Sequence, residues 1–497
     1  MLDHTQTPLL TALQTCAQRP QAAFYAPGHK RGQGASARLR HVLGDNALRA
    51  DLPELVELDN LFAPEGVILE AQTLAADAFG AEQTWFLANG STCGLEAAIL
   101  ATCNPGDKII VPRNVHRSVI AGLVLAGARP VFVSPDYSPV LGLALGVRAE
   151  DVAMALNHYP DVRAILVVSP TYHGLCSDLA AIANLAHTHG IPLLVDEAHG
   201  PHFAFHPHLP TPALRQGADL VVQSTHKVLA ALSQASMLHV QGGQIDRDRL
   251  QAALQLTQST SPNALLLASL DAARHQMATE GEAMLSRTLN LAQTLRHQLA
   301  QLPGLRVISP QDIAPYASVQ HLDLTRITVD VSGLGLTGLE ADEILNNTLG
   351  VTVELPELRH LTLIVSLGNT PEDGQHGLEG FRQLVAQCSP ALAASSPGTP
   401  PPDAAPMLPV HPPFTLPPVS PREAFFAPTI PLPAAAAIGH LSAETLSPYP
   451  PGIPVVMAGE VIAAEAIAHL KTVVQQGGYV TGASDSSLET LRVLRDG

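Results

Sequence analysis

The sequence predicts an α/β protein built on a mostly parallel sheet, and three observations predict it. Seven short apolar runs recur between Thr84 and Val240: Thr84–Leu87, Lys108–Val111, Pro130–Val133, Ala164–Ser169, Ile191–Asp196, Leu220–Gln223 and Met237–Val240. The runs are continuously apolar rather than alternating, as strands covered on both faces are. Between most of them lie helix-length amphipathic segments, such as Thr92–Cys103, His116–Ala126 and Asp178–His189. Strand and helix therefore alternate, as in a sheet layered by helices.

The remaining elements frame this core. Residues 1–50 mix short helical patterns with the glycine-rich stretch Ala26-Pro-Gly-His-Lys-Arg-Gly32, which reads as a loop. A large domain is expected over 51–268. A long helical region, Ser269 to Gln301, then opens a smaller α+β domain over 269–388, with strands at Leu305–Ile308, Arg326–Val331 and Leu361–Val365. Residues 389–421 carry Pro397, Pro400, Pro401, Pro402, Pro412, Pro413, Pro417 and Pro418. Proline lacks a backbone donor and fixes φ, so neither helix nor central strand is expected, and the segment reads as a linker in polyproline-II or disordered form. Ordinary composition returns over 422–497, a small C-terminal domain.

Composition narrows the function. With 497 residues, 46% hydrophobic and only 14% charged, the chain can bury a large core. Its formal charge of −17 opposes binding to nucleic acid or anionic lipid. The five cysteines are scattered without CxxC spacing, so neither a zinc knuckle nor a disulfide framework is indicated. The start, Met1-Leu-Asp-His-Thr-Gln, lacks a signal peptide's basic and apolar regions. The run Val119–Ala126 meets Arg129 long before it could span a bilayer. A cytoplasmic protein is expected.

Four groups of residues carry chemistry. Lys227, in Ser224-Thr225-His226-Lys227, follows an apolar strand. A lysine held in a dry pocket there loses part of its preference for the charged form, which ordinarily persists to a pKa of about 10.4. Schiff-base chemistry needs that. Asp196 ends another strand, at the sheet edge where α/β proteins bind ligands, and could pair with a protonated ring nitrogen. Asn89-Gly90-Ser91-Thr92 opens a helix and combines glycine, hydroxyls and a helix N-terminus, the elements of a phosphate cradle. His116 follows a third strand and could stack on a planar group. Singly, each has a structural explanation: a surface lysine, a capping aspartate, an ordinary N-cap, a satisfied histidine. Their succession on consecutive strand ends is far more specific.

Six segments carry a family resemblance: Ala26-Pro-Gly-His-Lys-Arg-Gly, Ala88-Asn-Gly-Ser-Thr, Pro112-Arg-Asn-Val-His-Arg-Ser, Ser169-Pro-Thr-Tyr-His-Gly, Val195-Asp-Glu-Ala-His-Gly and Gln223-Ser-Thr-His-Lys-Val-Leu-Ala-Ala-Leu-Ser-Gln-Ala-Ser. With Ser447-Pro-Tyr-Pro-Pro-Gly-Ile-Pro and Gly459-Glu460 near the end, the chain resembles the ornithine/lysine/arginine decarboxylases. It is similar to the shorter bacterial members that lack an N-terminal wing domain. The resemblance implies a fold-type-I large domain and pyridoxal phosphate as cofactor. It implies that Lys227 carries the cofactor as a Schiff base and that His226 contacts its phosphate or moves a proton. Asp196 would bind the pyridine nitrogen and His116 would stack on the ring. Ser91, Thr92 and Ser224 would hold the phosphate, and Thr260 would complete the phosphate site of a partner subunit in a homodimer or higher homo-oligomer. Glu460 could meet a cationic substrate side chain. Larger members carry tryptophan where this chain has His199, a further residue of the cofactor wall, and proline where it has Ala458.

The expected reaction is decarboxylation of a basic amino acid, arginine, lysine or ornithine with a lean to arginine, to the corresponding polyamine-pathway amine. Another fold-type-I activity, an aminotransferase or aldolase, is the alternative, followed by a non-catalytic paralogue that binds cofactor for regulation. The histidines 199, 202, 206 and 208 suggest a metal, but the prolines among them oppose a helix that would present them together, and no metal is expected. Gly28–Gly34 does not follow a strand, so no dinucleotide fingerprint is indicated.

Overall fold

Strands that are apolar throughout need cover on both faces, and the computed structural model shows that arrangement. It describes residues 2–392, 412–449, 453–475 and 477–495. The chain divides into two units, Met1–Thr102 with Pro192–Leu285, and Cys103–Ile191 with Ser286–Gly497.

In the first unit, four strands lie in the order Gln83–Leu87, Ser236–Val240, Leu220–Gln223, Leu193–Asp196. Ser236–Val240 is antiparallel to both neighbours, and Leu220–Gln223 is parallel to Leu193–Asp196. The first, third and fourth strands therefore run the same way. Leu193–Asp196, Leu220–Gln223 and Ser236–Val240 are buried at every residue, which is why the sequence shows no alternation there. Helix Gly90–Thr102 covers the sheet, and its residues from Cys93 to Leu95 and Ala97 to Ile99 are buried.

In the second unit, Val162–Val168, Lys108–Pro112 and Arg129–Val133 form a parallel set. A smaller antiparallel sheet, Arg306–Val307, Arg326–Asp330, His360–Ile364 and Leu355–Pro356, packs on helices Gly338–Thr348 and Pro371–Leu392. Their shared core includes Leu299, Ile327, Val329, Leu361, Phe381 and Leu384. The C-terminal residues build their own core around Leu446, Val456, Ile462, Leu470 and Val493, beneath the pair Thr429–Pro433 and Thr490–Leu494.

The proline-rich segment needs a correction. Residues 393–411 lie outside the described residues, but Phe414–Thr415 forms a strand antiparallel to Arg129–Val133. Pro413 and Pro412 take part through their carbonyls, which accept the Ser134 N–H (3.0 Å) and hydroxyl (2.8 Å). A strand at a sheet edge can use carbonyls alone, so proline does not forbid it.

Candidate active site

The three parallel-running strands of the first unit bring Ala88–Ser91, Asp196 and Ser224–Lys227 to their carboxyl ends. At the first of these ends Gly90 adopts φ +76°, a conformation that side chains disfavour, and opens the 13-residue helix. Ser91 Oγ lies 2.8 Å from Ser224 Oγ, so hydroxyls from two strand ends meet beside the helix's first turn. The N–H groups of such a turn favour an anion. The turn is tightly held: Ala88 N–H donates to Gln258 Oε1 (2.8 Å) and Gln234 Nε2 donates to the Ala88 carbonyl (2.6 Å). Ser259 N–H donates to Asn89 Oδ1 (3.3 Å), which ties the loop carrying the exposed Thr260 to residues 88–89 of its own chain. Thr92 is exposed at the same turn.

Lys227 is half-buried, with Nζ 2.9 Å from Nε2 of the buried His199. At that distance the Lys227 ammonium can donate a hydrogen bond to the imidazole nitrogen. Asp196 is 3% exposed and its Oδ1 accepts the Ala198 N–H at 3.1 Å. Burial pushes the Asp196 carboxyl up, and the charge of Lys227 offsets part of that. His226 shares its Nδ1 with the Ala235 carbonyl (3.0 Å), and burial lowers its pKa, so the ring is neutral with its proton on Nδ1 and Nε2 able to accept one.

These residues fit pyridoxal phosphate. A buried carboxyl pushed up by burial gains from a cationic ring nitrogen. A hydroxyl pair at a helix N-terminus gains from a phosphate. A lysine able to pass its proton to a neighbour can form an imine.

In the second unit His116 caps helix Arg117–Ala126: its Nδ1 lies 2.8 Å from Ser118 Oγ and 3.3 Å from Ser118 N. The residue is exposed. Three residues earlier, Arg113 is 2% exposed and binds both carboxylate oxygens of Glu460 at 2.7 Å each. Glu460 Oε2 also accepts the Met457 N–H at 2.9 Å. Both oxygens are thus engaged within the protein. Ala458 donates its N–H to Thr445 Oγ1 (3.2 Å), a bond that proline could not make. Among the described residues no three His, Cys, Asp or Glu form a group that could hold a metal ion. His206 and His208 pack edge to face, 5.2 Å apart.

The Orn/Lys/Arg decarboxylase family model matches residues 7–323 with its major domain and 423–479 with its C-terminal domain. The chain belongs to this family. The decarboxylase is 38% identical over 491 residues to the arginine decarboxylase of Bacillus subtilis, covering 99% of this chain and 98% of that one. It is 37% identical over 491 residues to the arginine decarboxylase of Halalkalibacterium halodurans, with the same coverage. The solved lysine decarboxylase of Francisella novicida superposes with a TM-score of 0.82 at 23% identity, covering 99% of this chain and 81% of that one, a likeness of fold. The large domain is of the fold-type-I class.

The sequence of the decarboxylase did not reveal everything the site uses. Glu197, beside Asp196, is 1% exposed and accepts Ala213 N–H and Gln223 Nε2 (2.8 and 2.7 Å). Gln223 Oε1 lies 3.1 Å from His239 Nε2, and His239 Nδ1 lies 2.8 Å from Thr84 Oγ1. This buried chain of hydrogen bonds runs from Glu197, one residue past the strand Leu193–Asp196, across the other three strands of the first unit. Only the acidic pair Asp196-Glu197 hinted at it. Nothing local signalled that His199 meets Lys227.

Proposed function

We propose that this decarboxylase acts on arginine, releasing carbon dioxide and the corresponding amine, with pyridoxal phosphate held on Lys227. Decarboxylation of a basic amino acid follows from family membership. Arginine as the preferred substrate is supported by the relatives that match over nearly their whole length. The observation that carries the cofactor assignment is Lys227 beside His199 and the buried Asp196, at the same sheet edge as the Ser91–Ser224 hydroxyls.

Pyridoxal phosphate, when bound, supplies a carbonyl carbon for amines and a ring that draws electrons from the bond being broken. Asp196 would hold positive charge on the ring nitrogen, so that the ring stays an effective acceptor. Ser91, Thr92 and Ser224 would anchor the phosphate with the first turn of helix Gly90–Thr102, and His116 would offer a flat imidazole face. Lys227 Nζ attacks a carbonyl only as the neutral amine, and His199 Nε2 is placed to take its proton. A proton taken up on Lys227 Nζ or His226 Nε2 would then pass to the substrate's α-carbon. We further assign a cytoplasmic homodimer in which Thr260 of one subunit completes the phosphate site of the other.

The test is a substrate panel. Carbon dioxide release should give a kcat/KM for arginine at least tenfold above those for lysine and ornithine. Keto-acid production without carbon dioxide release would indicate an aminotransferase, and purified protein without an imine absorbance band would indicate a non-catalytic paralogue.

A further inference from the structure

We propose that Glu460 and Arg113 form a latch by which the C-terminal domain holds the turn that carries His116, making Glu460 a positioning residue. The inference rests on the assignment of His116 to the cofactor and goes beyond it by giving the C-terminal domain a part in that binding. Arg113 is the first residue after the Lys108–Pro112 strand, and its N–H donates to the Val133 carbonyl at 2.9 Å, extending the ladder by one residue. His116 then caps the next helix. Only Asn114 and the buried Val115 lie between these fixed points, so the placing of the Arg113 side chain sets where the His116 ring begins.

That side chain is held from four directions. Its guanidinium makes the two-pronged pair with Glu460, and reaches the Val455 carbonyl and Thr415 Oγ1, each at 3.4 Å. Its carbon lies over the Phe132 ring, 5.5 Å from the centroid. A guanidinium so buried is tolerated only when paired, and the fork geometry makes the pairing directional.

The C-terminal domain is built to present the carboxylate. Glu460 N–H donates to the Met457 carbonyl (3.1 Å), Gly459 N–H to the Ser442 carbonyl (2.8 Å) and Ser442 N–H to the Glu460 carbonyl (2.8 Å). Gly459 sits at φ +90°, and a Cβ there would fall 2.2 Å from the Val419 carbonyl oxygen. Only glycine fits, so Gly459→Ala disturbs the latch without altering its charges.

The experiment is a double-mutant cycle on the full chain, made free of cofactor and titrated with pyridoxal phosphate, read by visible absorbance and circular dichroism. Glu460→Gln should raise the dissociation constant about tenfold in the natural background and less than twofold in a His116→Ala background. Gly459→Ala should behave like Glu460→Gln. Amide hydrogen exchange at Val115–Val119 in the cofactor-free Glu460→Gln protein should quicken at least tenfold. Should Glu460→Gln fail to fold, judged by far-ultraviolet circular dichroism, Glu460→Asp, which keeps the charge but shortens its reach, takes its place in the cycle. Equal losses of affinity in both backgrounds, or unchanged exchange, would overturn the latch. A natural protein without any imine band would overturn the cofactor assignment instead, and the exchange measurement would still decide whether Glu460 holds the turn.

Discussion

Glu197 is 1% exposed, and burial pushes its carboxyl up to about 8. The folded protein therefore keeps a proton that the unfolded chain releases from about pH 4.5 upward. By linkage, stability is fully present below the unfolded pKa and is lost as pH rises toward 8. The shift from 4.5 to about 8 corresponds to at most about 5 kcal/mol, at about 1.4 kcal/mol per pH unit. Glu197→Gln removes the titration. The amide can be accommodated if the hydrogen-bond chain reverses: Gln223 flips its amide, donates to His239 Nε2, and His239 donates from Nδ1 to Thr84. His239 is neutral, its pKa pushed down to about 3 by burial, so either tautomer is open to it. The variant should match the natural protein within about 1 kcal/mol at pH 5 and exceed it by about 2–5 kcal/mol at pH 9. Urea denaturation from pH 5 to 9, followed by fluorescence of Trp85, the chain's one tryptophan, measures this in the first unit. A variant whose stability falls with pH as steeply as the natural protein's would refute the reasoning. So would one that is weaker by about 3 kcal/mol at every pH, because the network would then not reverse.

Two further substitutions probe the cofactor's ring partner and a buried ion pair. Asp196→Ala should retain some cofactor but lose turnover by orders of magnitude; a loss smaller than about tenfold, or about 1.4 kcal/mol, would remove its pairing role. Asp271→Ala should destabilise the chain by about 3–5 kcal/mol in denaturation, because Arg274, also fully buried, would lose its carboxylate partner. That change also removes the acceptor for Leu9 and Leu10 N–H, which tie the first helix down; a loss below about 1 kcal/mol would contradict the pairing.

The large-domain strands were legible because burial on both faces leaves an unbroken apolar run, and Leu220–Gln223 falls where the sequence places it. Helix Asp178–His189 is likewise found at Leu179–Thr188, with Asp178 as its cap. Direction was not legible: Met237–Val240 looks like its neighbours, yet the strand Ser236–Val240 runs antiparallel to them. Hydrophobicity carries no polarity along the chain. The chemistry-bearing residues stood out where a strand end and a reactive group coincide, as at Asp196 and Lys227. Their partners did not, because the bond from Lys227 to His199 spans 28 residues and the pair Arg113–Glu460 spans 347. The strand Phe414–Thr415 was hidden by its flanking prolines, which bond through their carbonyls.

Lys227 is the proposed carrier of the cofactor, and the chain makes this direct to test because it has four lysines, Lys30, Lys108, Lys227 and Lys471. The purified protein would be loaded with pyridoxal phosphate, reduced with borohydride, digested and mapped by mass spectrometry. One phosphopyridoxyl adduct is expected, on the peptide containing Lys227, with loss of both the adduct and the visible absorbance band in Lys227→Ala. An adduct on Lys30, Lys108 or Lys471 in place of Lys227, or a Lys227→Ala protein that keeps its band and its carbon dioxide release, would contradict it.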